Sequence, residues 1–382
     1  MTNPLIPFGR PMIDDAERNA INDVLVGTTF VHGPVSRAFE EAFAERMGAR
    51  HAISLSSCTA GLHLSLFAQG IGPGDKVAVP AMTHVATAHA VEYCGAEPVF
   101  IDVQPDSGNI NPDGLAAVAD GLSAVMVVHY LGLPCEMDRI SEIAAKAGAF
   151  VIEDCALAID ASYDGRKTGT LGLTGCFSFY PIKHMTTLEG GMLTTNDGAL
   201  ADSIRQRKAF GYDKFLGERS KPGIYDVTAL GYNYRMNEVE AAVGLAQLGK
   251  LDGHQAARAK NYRIIQSALA DMDEITVFDP VQGKAASSHY CLNVVLPRNG
   301  GIDRDVVVAA LKEKGVGSSV HYPSAVPLFS YYREKYGHTA GSFPVAEWLA
   351  DQTISLPVGP HVTPEDAVYI AASVKQVIGK TR

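Results

Sequence analysis

The chain has 382 residues, 47% hydrophobic and 19% charged, with a formal net charge of −10. That is the composition of a globular protein large enough for one big domain plus a smaller one, not of a disordered chain. The acidic balance argues against a nucleic-acid partner, and no apolar run approaches the ~20 residues that span a bilayer.

The first fifteen residues lack the basic start and apolar core of a signal peptide. Six scattered cysteines without a CxxC pair read as reduced thiols, so a cytoplasmic location is expected. From about residue 50 to 200, short apolar runs alternate with amphipathic segments. Strands are predicted over 76–80, 98–103, 124–130, 150–153, 176–180 and 192–195, with helices over 59–69, 85–93 and 137–146. The strand runs are almost continuously apolar and β-branched, as strands covered on both faces are. The pattern predicts an α/β fold with a largely parallel sheet in three layers.

A helix is predicted over 239–251, and the texture then changes. A helical segment over 254–272 is followed by a strand over 289–296, a helix over 304–314 and a strand over 318–322. A Pro- and Tyr-rich loop leads to a last helix with Thr363 as N-cap and Pro364 at its first position. The expected organisation is an N-terminal arm over 1–14, a large domain over 15–250 and a smaller α+β domain over 251–382.

Five segments carry candidate chemistry. In the first, a predicted strand from Cys176 through Ser178 enters a loop holding Lys183, and Gly190-Gly191 opens the next strand. Burial lowers the pKa of a lysine, which is what a Schiff-base lysine needs. In the second, Glu153-Asp154 closes an inner strand, and ligands of open α/β sheets bind beyond the carboxyl ends of strands. Asp154 there suits a protonated pyridine nitrogen, while Glu153 is expected to face a structural partner. Third, the hydroxyl-rich Ser54–Thr59 stretch precedes a helix whose N-terminus suits a phosphate or is simply capped by Ser57 or Thr59. Fourth, His84 at a helix start is either a ring-stacking group or a polar cap. Fifth, Asn233 and Arg235 in GYNYRMNE stand ready to reach an anion. Cys58 and Cys155 have no adjacent base and read as packing residues. No dinucleotide fingerprint, Walker motif, nucleophile elbow or HExxH is present, and the histidines show no metal-ligand spacing.

In this order the motifs resemble the DegT/DnrJ/StrS family of sugar aminotransferases over nearly the whole chain. They run from PFGRP through SSCTAGLHL, MTHVATAHAVEYCGAEPVFIDV, EDCALA, FSFYPIKHMTTLEGGM and GYNYRMNEVEAA to HYP. The resemblance implies the fold-type I architecture of pyridoxal 5′-phosphate (PLP) enzymes. It also implies a cycle through the pyridoxamine (PMP) form, L-glutamate as amino donor and a keto-sugar, nucleotide-linked, as acceptor. Lys183 matches the Schiff-base lysine, Asp154 the partner of the pyridine nitrogen, and Thr59 and Ser178 phosphate contacts helped by the backbone at Cys58. Asn233 matches a phosphate contact from the other subunit, with Arg235 its neighbour, so a homodimer with composite active sites is implied.

Three positions depart from the family pattern: His84 stands where an aromatic stacks, Leu157 where a hydrogen-bonding residue is common, and Leu188 where Gly is common. A dehydratase branch replaces the lysine with histidine; here His184 follows Lys183 and does not replace it. Substrate contacts are expected from the loops at 212–225 and 321–330, with Tyr212, His321 and Tyr322 as candidates. Competing readings are a keto-sugar acid as acceptor, a PLP sugar dehydratase, and a non-catalytic sensor on the same fold.

Overall fold

A computed structural model describes residues 4–214, 221, 223–298 and 301–380. Seven strands form the main sheet: β1 (His51–Leu55), β2 (Lys76–Pro80), β3 (Glu97–Ile101), β4 (Ala124–Val128), β5 (Phe150–Asp154), β6 (Thr174–Ser178) and β7 (Gly191–Thr195). Their order is β1-β7-β6-β5-β4-β2-β3. Strands β2 to β6 pair in parallel, whereas β7 runs antiparallel to both β6 and β1. Alternate residues of each strand enter opposite cores. Ile53, Val77, Met126, Ile152, Cys176 and Leu193 pack on one side, while Ala52, Phe177 and Met192, or Ala78, Val125 and Val151, pack on the other. Both faces are therefore dry, which explains why the strands read as unbroken apolar runs.

The alternation predicted six of the seven strands and missed β1. That edge strand is bracketed by polar segments and is recognisable only by its register with β7, His51 facing Thr195 and Leu55 facing Gly191. The two helices expected over 239–251 and 254–272 are one helix of 32 residues, α1 (Glu238–Leu269). It opens on a reciprocal cap in which Asn237 accepts from the Glu240 N–H and Glu240 accepts from the Asn237 N–H. Gly249 and Gly253 lie inside it without breaking it.

Beyond α1, a three-stranded antiparallel sheet is built from Thr276–Val277, Leu292–Val295 and Thr353–Leu356. Its core runs from Tyr262 to Ile378 and includes Ile6, which bonds to Gly315 and Gly317. The strand expected over 318–322 is reduced to one bridge between Ser319 and Ser355. Pro323 follows directly and offers no donor to extend the pairing. The last helix, α2 (Pro364–Lys380), starts as predicted, with the Asp366 N–H donating to Thr363 Oγ1 at 3.1 Å. Among the described residues, no helix is long and apolar enough to cross a membrane.

Candidate active site

The carboxyl ends of β2, β4, β5 and β6 converge on a cavity of about 460 Å³, inside the ~300–1,000 Å³ range of small-molecule sites. It lies at the place predicted for ligands of open α/β sheets, where neighbouring strands lead off in opposite directions. Asp154 at the end of β5, Ser178 at the end of β6 and His84 just after β2 all line it. So do Cys58, Thr59, Lys183, His321 and Tyr322.

Asp154 is 5% exposed and its carboxylate is tightly held. Oδ2 accepts from Thr87 Oγ1 at 2.8 Å and Oδ1 accepts from the Ala156 N–H at 3.0 Å. Thr87 spends its one hydroxyl hydrogen on Asp154, so in the 2.7 Å contact with Thr83 it accepts. Thr83, Thr87 and Asp154 thus form a directed, fully buried chain in which each bond polarises the next. The Cys58 thiol points at the Cys176 carbonyl at 3.4 Å. Burial, followed by the charge of Asp154, pushes its pKa well up, so it stays a thiol.

Lys183 sits in the loop after β6, where its N–H donates to the Tyr180 carbonyl at 3.0 Å. Its ammonium group stands 5.3 Å from the centre of the Tyr290 ring. Burial depresses its pKa, opposed by the charge of Asp154. A desolvated amine of this kind is neutral over a wider pH range than a surface lysine.

At the far end, Ser57 caps the helix Cys58–Phe67 by accepting from the Ala60 N–H at 3.1 Å. That leaves the first amides, at Cys58 and Thr59, without intrahelical acceptors and free for an anion. Gly191 is needed here because a side chain at that position would lie 2.4 Å from the Cys58 nitrogen. Ser57 is therefore the cap, and the Cys58 and Thr59 residues that follow it line the cavity.

His84 is a helix cap whose ring also borders the cavity. Its Nδ1 accepts from the Ala86 N–H at 3.2 Å, and its ring lies 6.0 Å from that of Tyr322. Burial, followed by the charge of Asp154 acting the other way, lowers its pKa. His321 is held by Ser355 at 2.9 Å and pushed down to about 3 by burial, so it meets a ligand as a neutral group.

The structure does not bring every candidate to the cavity. Tyr212 packs on Tyr225 with ring centres 4.5 Å apart and is not part of the lining; residues 215–220 and 222 of that loop lie outside the described residues. Asn233 is exposed and accepts from Arg235 Nε at 2.9 Å, and neither residue lines this chain's cavity. Leu157 lines it with an apolar side chain. Leu188 has a left-handed backbone with φ of 75°, a conformation that glycine adopts without strain. Tyr290, Thr83 and Glu189 also line the cavity and were not singled out from sequence. Only the four-residue spacing of Thr83 and Thr87 hinted at a shared face.

Glu153 is fully buried on the other side of the sheet. It accepts from the amides of Gly169, Leu171 and Gly172 at 2.7–2.8 Å, and from His129 Nε2 at 2.9 Å. His129 Nδ1 accepts from the Cys135 N–H at 3.2 Å. With Cys155 these two side chains have the closeness of a metal triad, yet the donors that hold Glu153 and His129 already occupy their lone pairs. Glu153→Ala is expected to cost about 3–5 kcal/mol, because it strands several buried donors. The denaturant midpoint should fall while cofactor affinity per folded molecule stays within about twofold; unchanged stability would refute the structural role.

The family model described as the DegT/DnrJ/EryC1/StrS aminotransferase family matches residues 11–375. The spore coat polysaccharide biosynthesis protein SpsC of Bacillus subtilis is 37% identical over 382 residues, covering 98% of each chain. Spr1654 of Streptococcus pneumoniae, in its PLP form, superposes with a TM-score of 0.92 at 25% identity, covering 99% of this chain and 100% of that one. DesI, in the presence of its TDP-sugar product, gives a TM-score of 0.89 at 32% identity, covering 100% of this chain and 94% of that one. The chain belongs to the DegT/DnrJ/EryC1/StrS aminotransferase family, whose members are PLP-dependent sugar aminotransferases.

Proposed function

We propose that this enzyme transfers an amino group from L-glutamate to a nucleotide-linked keto-sugar, using PLP held by Lys183, Asp154 and the Cys58–Thr59 helix end. The observation that carries this reading is the cavity itself. It sets a depressed-pKa lysine, a clamped carboxylate and unpaired helix amides around one space. These groups fit the cofactor's aldehyde, ring nitrogen and phosphate in turn. When bound, the cofactor supplies an electron sink for the bond at the substrate's amino carbon.

The chain's residues do the rest. Asp154 keeps the ring nitrogen protonated, and Thr87 with the Ala156 amide fixes which oxygen edge faces it. The neutral amine of Lys183 would take the proton from the substrate's amino carbon and return it two bonds away, at the cofactor's aldehyde carbon, as a general base with a lowered pKa can. Thr59 and Ser178 bring hydroxyls to the phosphate end. Asn233, exposed on this chain, and the half-buried Arg235 beside it complete the partner's site in a homodimer. The enzyme acts in the cytoplasm.

Two features favour a neutral sugar over a keto-sugar acid and transamination over dehydration. Among the described lining residues Lys183 is the only lysine or arginine, and burial lowers the pKa of His84 and His321. His184 is turned away from the cavity, with Nε2 at 3.0 Å from the Ser288 carbonyl. The deciding experiment loads the enzyme with glutamate, isolates the PMP form and offers keto-sugars with and without a nucleotide. Recovery of the PLP spectrum only with nucleotide-linked acceptors is the expected result. Equal recovery with the free keto-sugar or its acid would overturn the acceptor assignment, and failure to form PMP would overturn the donor.

A further inference from the structure

Directly behind Lys183 lies a buried cation that the reaction does not use. Arg258, midway along α1, is 6% exposed. Its Nη1 donates to the Tyr290 carbonyl at 2.9 Å and its Nη2 to the Lys183 carbonyl at 3.3 Å. Among the described residues no carboxylate compensates it, and burial pushes its pKa down to about 10. A buried guanidinium without an acid is costly unless its hydrogens are all placed. Its Nε–H has no partner among the described residues.

The complementary gap is on His184, which is 2% exposed. Its Nε2 faces the Ser288 carbonyl at 3.0 Å, and a carbonyl only accepts, so Nε2 carries the hydrogen. Burial first and the Arg258 charge second hold the ring neutral. Nδ1 is therefore a bare lone pair, and it too has no partner among the described residues. Arg258 and His184 line one small cavity, together with Lys183, Thr186, Gln247 and His254. Its space of about 10 Å³ matches a single water.

We propose that one buried water accepts from Arg258 Nε–H and donates to His184 Nδ1, and that Arg258, His184 and this water form a positioning unit for Lys183. A water satisfies both atoms because it accepts at one and donates at the other. A halide could meet the guanidinium but would face the bare lone pair of His184. The unit grips the Lys183 loop at two consecutive residues: the carbonyl of Lys183 and the ring of His184. The same guanidinium holds the carbonyl of Tyr290, whose ring stands over the Lys183 ammonium group. What the catalytic amine hangs from and what it faces are thus set by one side chain. The role rests on Lys183 being the cofactor lysine.

The test uses the holoenzyme and the variants Arg258→Lys, Arg258→Met and His184→Phe. A high-resolution crystal structure of the wild type should show a water within about 3 Å of both Arg258 Nε and His184 Nδ1. The variants should lower kcat by roughly 10- to 100-fold, the scale of an ångström-level misplacement, with KM for the keto-sugar within about threefold. The pH midpoint of the bound cofactor's visible absorption should move as well, a change that a purely structural arginine would not cause. Arg258→Lys keeps the charge and carries the test if Arg258→Met does not fold. An empty cavity in the wild-type map refutes the water, and folded variants with wild-type kcat and absorption midpoint refute the positioning role. Lys183→Ala that still forms the borohydride-stable adduct would instead refute the reading of Lys183, so the two failures are distinguishable.

Discussion

Lys183→Ala is expected to lose the borohydride-stable link to PLP and at least about 10³ in kcat, since general acid–base transfer alone contributes roughly 10²–10⁴. The loss should be specific to chemistry. The helix amides at Cys58 and Thr59, the Ser178 hydroxyl and Asp154 all remain in the cavity, so PLP should still bind, reversibly and more weakly. Equilibrium dialysis with and without borohydride separates the two effects. Removing this amine should not destabilise the fold, because a desolvated lysine is opposed by burial in the native state. A variant that keeps the covalent link would overturn the assignment of Lys183.

The second large effect is expected at Asp154. Replacing it by Asn keeps the shape and the bond from the Ala156 amide but removes the charge proposed to face the ring nitrogen. A fall in kcat of about 10²-fold or more is expected, the scale seen when one preorganised electrostatic group is removed. Thr87→Val should act in the same direction but less, by about tenfold. It deletes one hydrogen bond to a charged group, worth roughly 1.5–3 kcal/mol when fully expressed. Thr87→Ser should restore most of the rate, because the hydroxyl and its place in the chain from Thr83 return. Single-turnover kinetics with glutamate report both variants without product release. Equal rates for Asp154→Asn and wild type would rule out the ring-nitrogen role.

How far the chain was readable depended on how local each signal is. The parallel sheet was legible because its strands are dry on both faces, so each appears as an apolar run between amphipathic helices. The start of α2 was legible because Thr363, Pro364 and Asp366 cap within four residues. β1 was not, since His51 and Ser54 interrupt its short apolar run and its pairing with β7 is no local signal. The 318–322 segment was over-read as a strand because composition does not show that Pro323 ends its pairing.

Lys183, Asp154 and the hydroxyls after β1 were visible in sequence as residue types at strand ends, and the family order of motifs tied them together. The departure at Leu188 was visible too, and its left-handed backbone shows why glycine suits that position. What the amino-acid order determined by itself is thus the set of candidate groups and the sheet that presents them, because both are written in short-range patterns. The tertiary structure decided what holds those groups. Thr87 reaches Asp154 across 67 positions and Arg258 reaches Lys183 across 75. The Tyr290 ring closes on the same lysine from the far side of α1. Such contacts leave no trace in local sequence, since a buried hydrogen bond is specified by the packing of the elements that carry its two ends.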